Sequence, residues 1–321
     1  APINPGASTV TGSITLDNTY GCTGASCVPA SGYLTASNVT ASNSPSTFGV
    51  KVTGAMSAGS SININGASVD STNSTGSVQI NANLLASQIN PSGAINIYGI
   101  NTTGTGTAIT TGANLTIQSG TAAIAGGGIN VTTATNGNSL WAASGIPTFT
   151  SYGANINVGT SAAPLNGGNG SGIGAINFAA GVNFNAYSLS NSGGTVNVYG
   201  QNASGSGTTV NLGTTWSIQS DVAANIWAKN VASSISYAPL WSTGTGAISG
   251  AGDTTFTGLL SSAGSTQAIN LTGAITDTSN GGNLSFVSNG AINQTGAISL
   301  SANASGSASA VTYDTTSGNN V

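Results

Sequence analysis

The feature that most constrains this 321-residue chain is self-similarity at fixed spacing. Gln267-Ala-Ile-Asn-Leu-Thr-Gly-Ala-Ile-Thr276 returns as Gly290-Ala-Ile-Asn-Gln-Thr-Gly-Ala-Ile-Ser299, offset by 23 residues (290 minus 267), the length of one solenoid coil. A longer echo links Ile95-Asn-Ile-Tyr-Gly99 to Val196-Asn-Val-Tyr-Gly200, and Leu115-Thr-Ile-Gln-Ser119 to Trp216-Ser-Ile-Gln-Ser220, both at 101 residues (196 minus 95 and 216 minus 115). Leu140-Trp141 and Leu240-Trp241 repeat at 100 (240 minus 140). An offset of 101 residues in two places, nearly held in a third, implies duplication of a block of several coils.

Within each repeat the period is two. Ile269, Leu271, Gly273 and Ile275 share one face while Asn270, Thr272, Ala274 and Thr276 share the other, which is strand patterning. Similar short runs separated by Gly or Ser/Asn-Gly recur from Ser61 to Tyr199, and glycine and the β-branched residues oppose helix throughout. Small apolar payloads spread this evenly predict a thin, elongated core. The fold expected is all-β, a right-handed parallel β-helix or β-solenoid over residues 61–321, in which strands pair from coil to coil. Asparagines at repeated positions, Asn96 with Asn197 and Asn270 with Asn293, are candidates for ladders between coils. Residues 1–60 hold four of the eight prolines (Pro2, Pro5, Pro29 and Pro45) and less periodicity, and are read as an N-terminal cap or assembly segment. Cys22 and Cys27, the only cysteines, are spaced for a local disulfide, which points to an oxidising compartment.

Charge excludes more than it suggests. The chain has two lysines, Lys51 and Lys229, six aspartates and no histidine, arginine or glutamate. General acid/base catalysis, metal ligation by imidazole and nucleic-acid binding all lean on the missing residues, so neither an enzyme, a cofactor, a metal nor a nucleic-acid partner is expected. No run approaches the roughly 20 apolar residues of a transmembrane helix. Asp253 and Asp277, 24 residues apart (277 minus 253), are the one carboxylate pair that adjacent coils could set side by side, and Lys229 could pair with Asp221. Gly167-Gly-Asn-Gly-Ser-Gly172 has glycine where a calcium-ligating aspartate belongs. Trp141, Trp216, Trp227 and Trp241 are candidate glycan or subunit contacts, with buried positions the competing reading. Asn101-Thr-Thr103, Asn114-Leu-Thr116 and Asn202-Ala-Ser204 match the N-glycosylation pattern, as an Asn/Ser/Thr-rich chain does by chance.

Gly290-Ala-Ile-Asn-Gln-Thr-Gly-Ala-Ile-Ser-Leu300 and Gly153-Ala-Asn-Ile-Asn-Val158 resemble the repeat regions of filamentous-haemagglutinin-type adhesins and large autotransporter passengers, which are secreted bacterial β-helices. The resemblance covers about the C-terminal three quarters. It implies a secreted or cell-surface location, with fibre formation or adhesion as the role. The leading expectation is a structural subunit of an extracellular fibre, sheath or surface layer, a homopolymer that self-assembles through solenoid ends or faces. The alternative is an adhesin passenger that binds surface glycans.

Overall fold

A computed structural model describes residues 8–10, 13–18, 49–67, 76–101, 106–135, 137–142, 144–167, 174–190, 192–203, 207–231, 238–261, 267–300 and 310–315. Among these every regular element is a strand. The strands form three parallel sheets of ten, eleven and nine members, and neighbours within each sheet come from successive coils. One circuit runs Met56–Ala58 in the first sheet, Ile62–Ala67 in the second and Val78–Ile80 in the third. The next runs Leu84–Ala86, Ile95–Asn101 and Ile109–Thr111. This is a parallel β-solenoid, and alternation within each strand decides which residues line its interior.

The echoes in the sequence are coil spacings. Asn270 pairs with Asn293 and Ile275 with Ile298 on adjacent coils, so the 23-residue repeat is one turn. Other turns are longer, with 33, 27 and 40 residues separating register partners in the second sheet. The 101-residue echo is three turns, stepping Ile95, Ile129, Ile156, Val196 in the second sheet and Ile117, Phe149, Phe184, Ile218 in the first. In the third sheet Leu140, Ile176, Val210, Leu240 make the same three steps.

Of the segment 1–60, Ser8–Val10, Ile14–Asn18, Val50–Val52 and Met56–Ala58 join the three sheets as parallel strands. Cys22 and Cys27 lie outside the described residues.

The core is one continuous column of Ile, Val, Leu and Ala, with aromatic layers further along. Phe149 stacks on Phe184 at 5.3 Å, with Phe178 edge-on to both, and Phe256 stacks on Phe286 at 5.6 Å. Burying each large side chain contributes about 1.5–3 kcal/mol. At the corners, inward hydroxyls and amides satisfy turned backbone. Ser119 Oγ donates to Gly93 O at 2.8 Å and accepts from Gly128 N at 3.1 Å, while Asn202 Nδ2 donates to Gly207 O at 2.8 Å and its Oδ1 accepts from Ala175 N. Buried polar backbone left unpaired would be costly. The Ser/Asn content of the chain thus closes corners as well as coating the surface.

Close approach sets one interior column of the second sheet. Gly66 and Gly99 are register partners there, and Gly200 and Gly258 hold the same column further on, with Ala228 between them. A Cβ at Gly99 would meet Ile109 Cγ1 at 2.6 Å and Ala108 O at 2.8 Å. The third-sheet side chain fills the space that a second-sheet side chain would need.

Candidate functional site

The outer face of the second sheet carries two unlike sets of polar side chains. Nearer the strand starts runs an asparagine ladder. Asn96 Nδ2 donates to Asn63 Oδ1 at 2.8 Å, Asn130 to Asn96 at 2.9 Å, Asn157 to Asn130 at 3.0 Å, Asn197 to Asn157 at 2.9 Å and Asn225 to Asn197 at 3.0 Å. Asn63 Nδ2 continues it to Thr15 Oγ1 at 3.4 Å. Parallel in-register strands hold identical amides at one inter-strand step, so each donor reaches the acceptor on the coil before it. Asn96 and Asn197, expected together, belong to one ladder three coils apart; Asn270 and Asn293 are direct partners at 2.7 Å on the third sheet.

Toward the strand ends the pattern breaks. Ile156–Val158 stops short, Gly159 turns at φ 71°, and Thr160 and Ala163 close a tight reversal through paired backbone bonds of 3.0 and 3.2 Å, braced by Ala163 N to Thr160 Oγ1 at 3.0 Å. After Pro164 the chain resumes as Leu165–Gly167, paired to Gly200–Asn202. Ile129–Thr135 meets its upper neighbour only through Val131. In this coil the interior glycine column is also interrupted, because Thr133 is the register partner of Gly99 and bonds Ser139 Oγ at 2.8 Å. Ser139 in turn donates to Asn166 O.

The break opens a groove of about 620 Å³ between Thr132 and Thr133 on one side and the 161–164 lip, Asn166, Gln201, Trp227 and Lys229 on the others. Asn166, Gln201 and Lys229 are consecutive partners along one outward row, and Trp227 stands beside Lys229 on the same face. Tyr199 supports the Trp227 ring at 5.9 Å and 44°. The ladder amides are paired. Apart from Thr133, most of the groove's polar groups are not: among the described residues the side chains of Thr132, Asn166, Gln201, Trp227 and Lys229 form no hydrogen bond or ion pair. No carboxylate lines the space. Among the described residues no three His, Cys, Asp or Glu gather as a metal site.

The remaining sequence candidates are dispersed. Trp216 is inside the solenoid, 2% exposed, with its indole N–H donating to Ser242 Oγ at 3.0 Å and its ring edge-on to Phe256 at 5.6 Å, so it is not a surface contact. Trp141 and Trp241 face outward from the third sheet, away from the groove. Asp253 and Asp277 are not side by side. Asp253 is exposed at the start of a second-sheet strand and accepts from Asn283 N at 2.7 Å, whereas Asp277 is 1% exposed on the first sheet and accepts from Ser279 N at 2.8 Å. Asp221 does not pair with Lys229 either; it precedes the strand Ala223–Asn230 that bears Lys229 near its far end, and accepts from Ser188 N and Gln219 Nε2. The Asn101 and Asn202 side chains are wholly buried, whereas Asn114 is exposed. Residues 168–172 of the glycine-rich run lie outside the described residues. On the first sheet Tyr152 and Tyr187 stack at 4.9 Å, and burial, then Tyr152, then Asp221 raise the Tyr187 phenol above its ordinary pKa.

The fold and the site define a parallel β-solenoid with a polar groove in one face. Comparison of the chain with protein families, curated proteins and solved structures finds no match. No helix among the described residues is long and apolar enough to cross a membrane.

Proposed function

We propose that the chain is a structural stretch of a secreted or surface-displayed solenoid of the filamentous-haemagglutinin and autotransporter-passenger kind, able to associate with copies of itself into a fibre or sheath. The observation that carries this reading is the outer surface. Three parallel sheets present repeating rows of Asn, Ser, Thr and Gly, and the charged side chains described on them are Lys51, Lys229, Asp221, Asp253 and Asp314. Faces with so little charge scarcely repel one another, and parallel strand edges are templates for further pairing. Sedimentation across a concentration series, with electron microscopy of the same samples, tests it. Assembly into filaments or bundles that persists at high salt is expected, because little of the attraction is ionic. A monomer at every concentration would remove the reading.

A second reading, an adhesive module, is favoured by one specific observation: the groove and its unpaired polar side chains. It predicts saturable glycan binding that substitution of Trp227 abolishes.

A further inference from the structure

We infer that the second-sheet groove binds an anionic saccharide, a sugar carrying carboxylate or sulfate, with Trp227 as its stacking surface and Lys229 as its charge partner. The inference rests on the adhesive reading and narrows it to a ligand class. Four observations carry it. The groove is about 620 Å³, a volume suited to a small ligand of a few sugar rings. Its lip is rigid, closed at Thr160 and Ala163 by paired backbone bonds and stiffened by Pro164. The side chains of Thr132, Asn166, Gln201, Trp227 and Lys229 lack hydrogen-bond and ion-pair partners among the described residues, in contrast to the connected asparagine ladder nearer the starts of the second-sheet strands. Its charge has one sign: the Lys229 ammonium forms no ion pair among the described residues, and no carboxylate faces it.

Sugar chemistry matches this set better than other small ligands do. A pyranose offers an apolar C–H face that packs on an indole, and a rim of hydroxyls that both donate and accept. Primary amides such as Asn166 and Gln201 meet such hydroxyls with a carbonyl acceptor and two N–H donors each, and the Thr132 hydroxyl serves either role. A neutral sugar would leave the ammonium without a counter-charge. A carboxylate or sulfate on the ring would give it a charge-assisted hydrogen bond, about twice as strong as a neutral one. Trp227 and Lys229 stand two residues apart on one strand face, so ring and charge are presented together.

Titration calorimetry at low ionic strength with trigalacturonate, sialyllactose and sulfated lactose, against galactotriose and lactose, decides the matter. Three anionic probes separate uronate, sialate and sulfate as the source of the charge. The expected result is saturable binding of at least one anionic probe, at least about tenfold tighter than its neutral counterpart and weakened by salt. Lys229→Gln should erase that preference and Trp227→Ala should abolish binding, with both variants melting near the parent because both side chains face outward. If Trp227→Ala unfolds, Trp227→Phe with Lys229→Gln carries the same test. Equal affinity for neutral and charged probes, or a charge preference that survives Lys229→Gln, overturns the inference and leaves the adhesive reading intact. No saturable binding to any of the five probes overturns both.

Discussion

The starts and the ends of the second-sheet strands are one surface built by two rules. At the starts, Asn63 to Asn225 satisfy one another coil after coil, and the interior beneath them is filled by Ile62, Ile95, Ile129, Ile156 and Val196. At the ends, the interior is a column of glycines that Thr133, Leu165 and Ala228 interrupt, and the exterior is a break where the side chains of Thr132, Asn166, Gln201 and Lys229 have no partners among the described residues. The first arrangement spends its polar groups on the fold. The second withholds them from it, and a surface can recognise something else only with groups so withheld. Substitutions a residue or two apart on the same strands should therefore separate stability from binding.

The largest effect belongs to the interior of the strand starts. Ile129 is fully buried between Ile95 and Ile156, so Ile129→Ala removes packing on both sides and should cost about 2–5 kcal/mol in chemical denaturation. A loss below 1 kcal/mol would mean that the core at this layer is not close-packed.

Next comes the glycine column. Gly99→Val drives a side chain into Ile109 and the Ala108 carbonyl and should cost about 1–3 kcal/mol. Its register partner behaves differently: Thr133 already carries a Cβ, so Thr133→Val forfeits only the bond to Ser139, about 0.5–1.5 kcal/mol. Equal costs at the two positions would contradict the claim that Thr133 marks a break in the column.

The ladder costs less than the Gly99 clash. Asn130→Ala removes one donated and one accepted amide bond on a half-exposed face, and a cost of about 1–2 kcal/mol is expected from thermal and denaturant melts.

How much of this was legible beforehand depends on the distance over which information had to be read. Strand parity was fully local. Ile269 and Leu271 against Asn270 and Thr272 announced the alternation, and the 23-residue echo turned out to be true coil register. Parity also separates the tryptophans: Trp216 aligns with Leu115 in the 101-residue echo and shares its face with Ile218, which marks it as core, whereas Trp227 lies between inward Ile226 and Ala228. The Asp253 and Asp277 pairing failed because equal spacing does not assign a residue to a sheet, and coils of 23 to 48 residues shift the phase between sheets. The groove was least legible, since Thr132, the 161–164 lip, Gln201 and Lys229 come from separate coils. Its one local trace is the long interval between Asn157 and Asn197, which contains Pro164 and the extra turn.

The finest test places two amides side by side. Asn197 and Gln201 are outward residues of the single strand Thr195–Asn202, similar in chemistry and in exposure. Asn197 donates to Asn157 and accepts from Asn225, while the Gln201 amide has no partner among the described residues. Asn197→Ala should lower stability by about 1–2 kcal/mol and leave saccharide affinity unchanged. Gln201→Ala should leave stability within about 0.5 kcal/mol of the parent, as surface substitutions without partners do, and weaken binding of whichever anionic probe the groove accepts. Melting curves and calorimetry on the same two variants read both quantities. If the effects were reversed, or if both variants lost stability alike, the division of this face into a structural ladder and a receptive groove would fail, because the unpaired amides would then be serving the fold after all.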